Sequence, residues 1–158
     1  MKIDADSAQV KVPPPLLEVV GILAGLGFQW VAPEDIISVE QNSLRLALMT
    51  ICFAASIGGI LYCFLLFKKY KTEVAPWKTS SKLIRKGPYK FSRNPIYLFF
   101  IIFGLGVALS LNSLWIGVMQ IPVVVALRWL VIEKEEQYLE KKFGEKYLAY
   151  KDQVGRWF

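Results

Sequence analysis

The chain has 158 residues, 54% of them hydrophobic and 14% aromatic, with a formal net charge of +6 and a mean hydropathy of +0.39. A soluble domain is about 45–50% apolar, and here the excess falls in blocks, so an integral membrane protein is expected. Histidine is absent and there are only two cysteines, which removes the commonest general base and a zinc site; no acidic cluster resembles a hard-metal cage.

The first apolar block, Leu16 to Ala32, follows "VPPP" and is marginal in length for a span. Asp4 and Asp6 precede it without a convincing cleavage site, so a cleavable signal peptide is not expected. Gly21 and Gly25 form a GxxxG, a pattern that lets helix backbones approach closely in lipid. The next connection, Pro33 to Ser43, carries Glu34, Asp35 and Glu40 and no cation.

Leu44 to Phe67 is the strongest span, since about 20 apolar residues cross a bilayer. "AASIGG", Ala54 to Gly59, gives it a flat packing face. Cys52 and Cys63 both lie within it, roughly 16 Å apart along a helix, too far for a disulfide, and read as small buried hydrophobes.

The connection from Lys68 to Arg93 carries nine Lys or Arg against one acid, Glu73. The positive-inside rule then places this loop in the cytoplasm and the acidic connection outside, with both termini cytoplasmic. Orienting the protein and touching anionic lipid is the plainest role for such a loop. Its last part runs into "GPYKFSRNPIY", Gly87 to Tyr97, a rigid stretch of two prolines and three aromatic rings with Lys90 and Arg93. Directly after come two more apolar blocks, Pro95 to Leu111 and Leu114 to Ile132, separated only by "NS", which leaves room for a tight helical hairpin. "GLGVAL" at Gly104 lacks a preceding strand and is not a nucleotide fingerprint. Arg128, inside the fourth block, must snorkel or find a partner and is a functional candidate.

From Glu133 to Phe158 six acids alternate with six bases, and Leu139, Phe143, Tyr147 and Tyr150 recur at helical spacing. An amphipathic cytoplasmic helix is expected, continuing from the fourth span or just bent from it, and weakened or kinked at Gly144. Glu133, Glu135 and Glu136 fall where a spanning helix would end, so compensating cations are expected. Arg128, seven residues before Glu135, would lie on nearly the same face. The fold class is thus all-α: a polytopic membrane protein with about four transmembrane helices and a C-terminal amphipathic helix. A polar pocket is expected where the basic loop meets the acidic helix start.

These residues, in order, resemble the isoprenylcysteine carboxyl methyltransferase and phospholipid methyltransferase superfamily, small bacterial members in particular. The family pattern is G-x-Y, then R-H-P-x-Y, then E-E-x-x-L and F-G-x-x-Y-x-x-Y. Here it reads Gly87 and Tyr89, Arg93 to Tyr97, Glu135, Glu136 and Leu139, then Phe143, Gly144, Tyr147 and Tyr150. The match covers residues 74–154. The resemblance implies one integral membrane methyltransferase domain over residues 1–158, with S-adenosylmethionine as cofactor and its binding half at about 74–154. The implied cofactor residues are Ser81, Lys82, Leu83, Ile84, Tyr89, Asn94, Pro95, Ile96, Tyr97, Glu135 and Glu136, with Arg128 and Glu135 catalytic. Glu136 is expected to meet the basic loop at Lys82 or Arg85, in an exposed pair. Amides of the helix turn opened by Pro95 suit a carboxylate, and tyrosine rings suit adenine or a sulfonium cation.

The family histidine is replaced by Asn94, which donates a hydrogen bond but does not titrate. The arginine that serves the substrate carboxylate in the eukaryotic prenylcysteine enzymes is replaced by Val131, with Arg128 about one turn earlier as the candidate substitute. The implied acceptor is a lipophilic or membrane-associated substrate: an isoprenoid or lipid carboxylate, a thiol, or a phospholipid amine. Membrane lipids are expected partners, whereas nucleic acid and metal are not, and the site would lie on the cytoplasmic side of a bacterial inner membrane. The competing class is a non-enzymatic four-helix assembly or lipid-binding protein.

Overall fold

The computed structural model describes residues 3–38 and 41–158; Glu40, counted above in the acidic connection, lies outside them. Among the described residues the regular structure is helical. Helix α1 spans Pro14–Val31, α2 Asn42–Tyr70, α3 Pro95–Ser110, α4 Leu114–Leu127, α5 Glu133–Phe143 and α6 Glu145–Gln153. The stretches Pro14–Val31, Asn42–Tyr70 and Leu114–Phe143 are long and apolar enough to cross a membrane. The third expected span is present as α3, apolar but only 16 residues long. That is about 24 Å of helix, against about 30 Å of hydrocarbon.

Packing follows the small residues. α1 lies on α4, and a Cβ added at Gly25 would sit 2.6 Å from the Cα of Ile116. α2 lies on α3, where a Cβ at Gly59 would run into the Phe99 ring. α3 and α4 form the tight hairpin: Asn112 takes the left-handed conformation (φ 48°), which asparagine tolerates. Ser113 then caps α4, its Oγ accepting from the Ile116 amide at 3.4 Å and donating to Gln29 Oε1 at 2.8 Å. Cys63 is buried in this packing and Cys52 half-buried, both as free thiols.

The helix does not end at Ile132. It passes through a π-helical turn, Arg128–Ile132, into α5. The three glutamates therefore open a helical extension rather than crowd a helix C-terminus, and the dipole conflict expected there is removed. Gly144, at φ 52° and ψ −131°, then divides the expected single amphipathic helix into α5 and α6.

The bundle has two unlike ends. At one, Asn112 exchanges hydrogen bonds with the Ile37 backbone (3.1 and 2.9 Å), and Arg45 Nη1 donates to the Leu109 carbonyl at 2.8 Å. At the other, here called the basic end, the segment before α1 folds against the connection after α2. The Asp4 amide donates to the Trp77 carbonyl at 2.9 Å. Ala8 and Val10 are buried in a core with Tyr97, Leu127, Val131 and Ile132. Within the bundle Glu18 and Gln120 are buried beside Gly104, and both Glu18 carboxyl oxygens lack a hydrogen-bond partner among the described residues.

Candidate functional site

The basic end holds a cleft built from four stretches of chain. One wall is the connection after α2, with Glu73 to Pro76, Lys82, Leu83 and Ile84. A second is the short 3₁₀ turn Gly87–Lys90 and the start of α3, giving Tyr89, Arg93, Asn94, Ile96 and Tyr97. α5 supplies Glu135, Glu136, Tyr138 and Leu139, and α6 supplies Tyr147 and Tyr150. Phe67 of α2 closes the apolar side.

Nine of the expected positions thus line one cleft: Lys82, Leu83, Ile84, Tyr89, Asn94, Ile96, Tyr97, Glu135 and Glu136. Three do not. Ser81 turns away, its Oγ donating to the Lys71 carbonyl at 3.0 Å and its amide to Thr72 Oγ1 at 3.0 Å. Pro95 is fully buried in the first turn of α3, where its missing N–H leaves no gap in the helix. Arg128 is exposed, ion-paired to Glu133 at 3.3 Å and stacked 5.3 Å over the Trp129 ring. The π turn explains this position. It absorbs about one extra residue, which rotates α5 by about 100° relative to α4 and takes Arg128 off the Glu135 face.

Tyr97 and Glu135 meet in the cleft. The Tyr97 hydroxyl donates to Glu135 Oε2 at 2.7 Å, while Oε1 has no protein partner among the described residues. Burial pushes the Glu135 carboxyl up to about 7, reinforced by the charge of Glu136 and opposed by the Tyr97 bond. The neighbouring Tyr89 hydroxyl is pushed well above its usual value by burial, so it stays neutral.

Glu136 sits one residue on and has a different role from the one expected. It is buried, and its partners are arginines rather than Lys82 or Arg85. Arg156 grips both carboxylate oxygens, Nε to Oε1 at 3.1 Å and Nη2 to Oε2 at 2.7 Å, and Arg93 Nη2 reaches Oε1 at 3.0 Å. A desolvated carboxylate is best held by planar guanidinium forks, and Lys82 and Arg85 remain at the surface.

The segment after α6 completes the site, and sequence reasoning missed it. The Arg93 amide donates to the Gly155 carbonyl at 3.0 Å. The Arg156 carbonyl accepts from Ser92 Oγ at 3.2 Å and Asn94 Nδ2 at 3.1 Å. Tyr150 adds a bond from its hydroxyl to the Tyr89 carbonyl at 2.7 Å. The turn before α3 is therefore held from behind at residues 89 to 94. The segment before α1 was missed too: Tyr138 accepts from the Ser80 amide and donates to the Asp6 carbonyl, both at 3.1 Å, and Lys142 pairs with Asp6. The sole signal for Arg156 was the demand of three adjacent acids for cations.

Chemically, the cleft offers an anionic oxygen beside an aromatic hydroxyl, an apolar floor from Leu83, Ile84 and Ile96, and a buried guanidinium. That set suits a ligand with a cationic end, a flat apolar part and an anion. Comparison with known proteins points the same way. The phospholipid methyltransferase family model matches residues 44–146. Over 47 residues, covering 29% of this chain and 71% of the other, the chain is 47% identical to an uncharacterized protein of Haemophilus influenzae.

Proposed function

Because the chain belongs to the phospholipid methyltransferase family, we propose that this membrane protein is an S-adenosylmethionine-dependent methyltransferase whose acceptor is lipophilic. The observation that carries the reading is Glu135. Its half-buried side chain lines the cleft, one carboxyl oxygen is fixed by Tyr97, and the other has no protein partner among the described residues. A carboxylate in such a place asks for a cationic ligand.

The residues present fit the cofactor. Glu135 would take its ammonium or ribose hydroxyls, and the first-turn amides of α3 or Arg93 would face its carboxylate. Tyr89 and Tyr147 would flank adenine, with Leu83, Ile84 and Ile96 as the apolar floor. When bound, S-adenosylmethionine supplies a methyl group on a sulfonium sulfur, open to in-line displacement by the acceptor. The protein's part is positioning and exclusion of water. Tyr97 fixes the Glu135 carboxyl, while the 155–156 segment and Tyr150 hold the turn at 89–94.

Residues 1–158 act as one domain in this reading, with the cofactor half at about 74–154 and the basic end in the cytoplasm of a bacterium. Acceptors that fit are a phospholipid amine, a lipid or isoprenoid carboxylate, or a thiol. The experiment is equilibrium binding of S-adenosylmethionine to detergent-purified protein, then transfer of labelled methyl to a total lipid extract. Absence of both binding and transfer would favour a non-enzymatic lipid-binding or assembly protein.

A further inference from the structure

The cleft is tight. It encloses about 90 Å³ of free space, whereas pockets that bury a small molecule run to about 300–1,000 Å³. A ligand of the size proposed above therefore enters only if a wall moves. Most of the walls are fixed from behind. α3 belongs to the bundle, and the 89–94 turn, α5 and the chain after α6 are joined by the buried Glu136 cluster and by Tyr150. The remaining wall is the connection after α2.

That connection makes an eight-residue loop, 73–80, whose ends meet. The Ser81 and Lys82 amides both donate to Thr72 Oγ1 (3.0 and 3.4 Å), and Ser81 Oγ donates to the Lys71 carbonyl at 3.0 Å. A loop pinched at its base in this way is a compact unit that can swing as one body. Glu73, Val74, Ala75, Pro76 and Ser80 line the cleft.

Beyond its base, and among the described residues, the polar contacts of the loop run to two places: residues 4–6 ahead of α1, and Tyr138 of α5. The Asp4 amide donates to the Trp77 carbonyl at 2.9 Å, and Asp4 Oδ2 accepts from the Thr79 amide at 3.2 Å. Thr79 Oγ1 donates to the Asp6 carbonyl at 2.8 Å. Tyr138 stands between the two sides, accepting from the Ser80 amide and donating to the Asp6 carbonyl. The segment ahead of α1 is itself anchored, because Ala8 and Val10 are buried beside Tyr97 and Ile132. Its contacts with the loop are not: Asp6 is exposed, and Asp4, Lys78 and Thr79 are half-buried. Surface contacts of this kind are individually weak, so they can break locally while the core stays closed.

We propose that residues 73–80 are a flap over the cleft and that the segment ahead of α1 is its clasp, with Asp4 and Asp6 as the hooks. Ligands enter and leave when the clasp releases; when it closes, the flap keeps water from the site. The identity of the ligand rests on the methyl-transfer reading of the cleft, whereas the motion of the flap does not. Ser81, expected at the cofactor, here pins the base of the flap instead.

The test uses the full chain in detergent carrying Ile96→Cys, a position on the floor of the cleft. Its reaction with a bulky water-soluble maleimide reports how often the flap is open. Asp4→Ala/Asp6→Ala should speed labelling about tenfold over this parent, and Tyr138→Phe, which removes only the bridging hydroxyl, about threefold. Glu140→Ala/Asp152→Ala, which removes two acids from the same end away from the clasp, should label as the parent does. Equal labelling in parent and clasp variants, or equal acceleration in the control, would overturn the proposal. The native thiol of Cys63, buried in the bundle, should stay unlabelled throughout; if it gained reactivity in step, general loosening would replace the flap.

Stopped-flow binding of demethylated cofactor is the second arm. Loss of the clasp should raise association and dissociation rates together and leave affinity within about threefold. A faster dissociation alone would mean that the segment shapes the bound site and does not gate it. Absence of binding in wild type would count against the methyltransferase reading while leaving the labelling result to stand.

Discussion

The Tyr97 hydroxyl reaches Glu135 Oε2 across 2.7 Å and ties the first turn of α3 to α5, two elements 38 residues apart in sequence. The bond orients the carboxyl and favours its ionised form, but burial outweighs it and holds the Glu135 carboxyl up at about 7.

Cofactor affinity should therefore depend on pH. A carboxyl raised to about 7 is mostly neutral at pH 6 and ionised at pH 8. A ligand ammonium needs the ionised form, so affinity for the demethylated cofactor should rise as pH rises through 7, by about tenfold between 6 and 8. In Glu135→Gln the slope should vanish. Calorimetric titration at the two pH values checks this, and an unchanged slope in the variant would remove Glu135 from the ligand. The same shift has a stability sign. Because the folded-state value is raised, ionisation opposes folding, and ligand-free protein should lose stability as pH climbs from the ordinary carboxylate range through 7.

Glu136 should matter more to folding than to binding. Glu136→Gln strips the counter-charge from two arginines, and the Arg93 side chain is only 8% exposed. Removing one member of a buried pair costs about 3–5 kcal/mol. Arg156→Gln leaves Arg93 on Glu136 and should cost about 1.5–3 kcal/mol. Denaturant unfolding in detergent measures both; a larger loss in Arg156→Gln would show that the tail, not the carboxylate, organises the cluster.

Inside the bundle, Gly104 packs directly against two buried polar side chains. A Cβ there would press on the Glu18 and Gln120 side chains. Gly104→Ala should cost about 1–3 kcal/mol through overpacking, whereas Glu18→Gln, which keeps the shape and removes an unpartnered acid, should be close to neutral. Unfolding midpoints that show Gly104→Ala unaffected would mean that α1, α3 and α4 are less closely packed than described.

Orientation is testable with single cysteines. Ser81→Cys lies at the basic end and Ser38→Cys at the opposite one. An impermeant thiol reagent added to intact cells should reach position 38 and miss position 81. The opposite pattern would put the cleft outside, away from any cytosolic cofactor.

Much of this was legible in the sequence because the apolar blocks and the proline punctuation are local signals. Pro14, Pro95 and the "NS" turn mark helix limits to within a few residues, and the spacing of Tyr97 from Glu135 and Glu136 brings nine expected residues to one cleft. Arg128 went astray for a different reason. Trp129, Leu130, Val131 and Ile132 are all apolar, so no polar face records the phase of the helix there. The burial of Ala8 and Val10 was hidden because they sit in a polar stretch without periodicity. Arg156 was hidden because its partner, Glu136, is 20 residues away and past a helix break.

The π turn at Arg128–Ile132 gives the long α4–α5 rod one place that tolerates a change of length. Deleting a residue elsewhere along it would swing every later side chain by about 100° and carry Glu135 out of the cleft. Deleting one within the wide turn would let the remaining four close into ordinary α-helix, with both flanks keeping their phase. Natural relatives one residue shorter should carry their gap in this turn, next to an arginine that does not line the cleft.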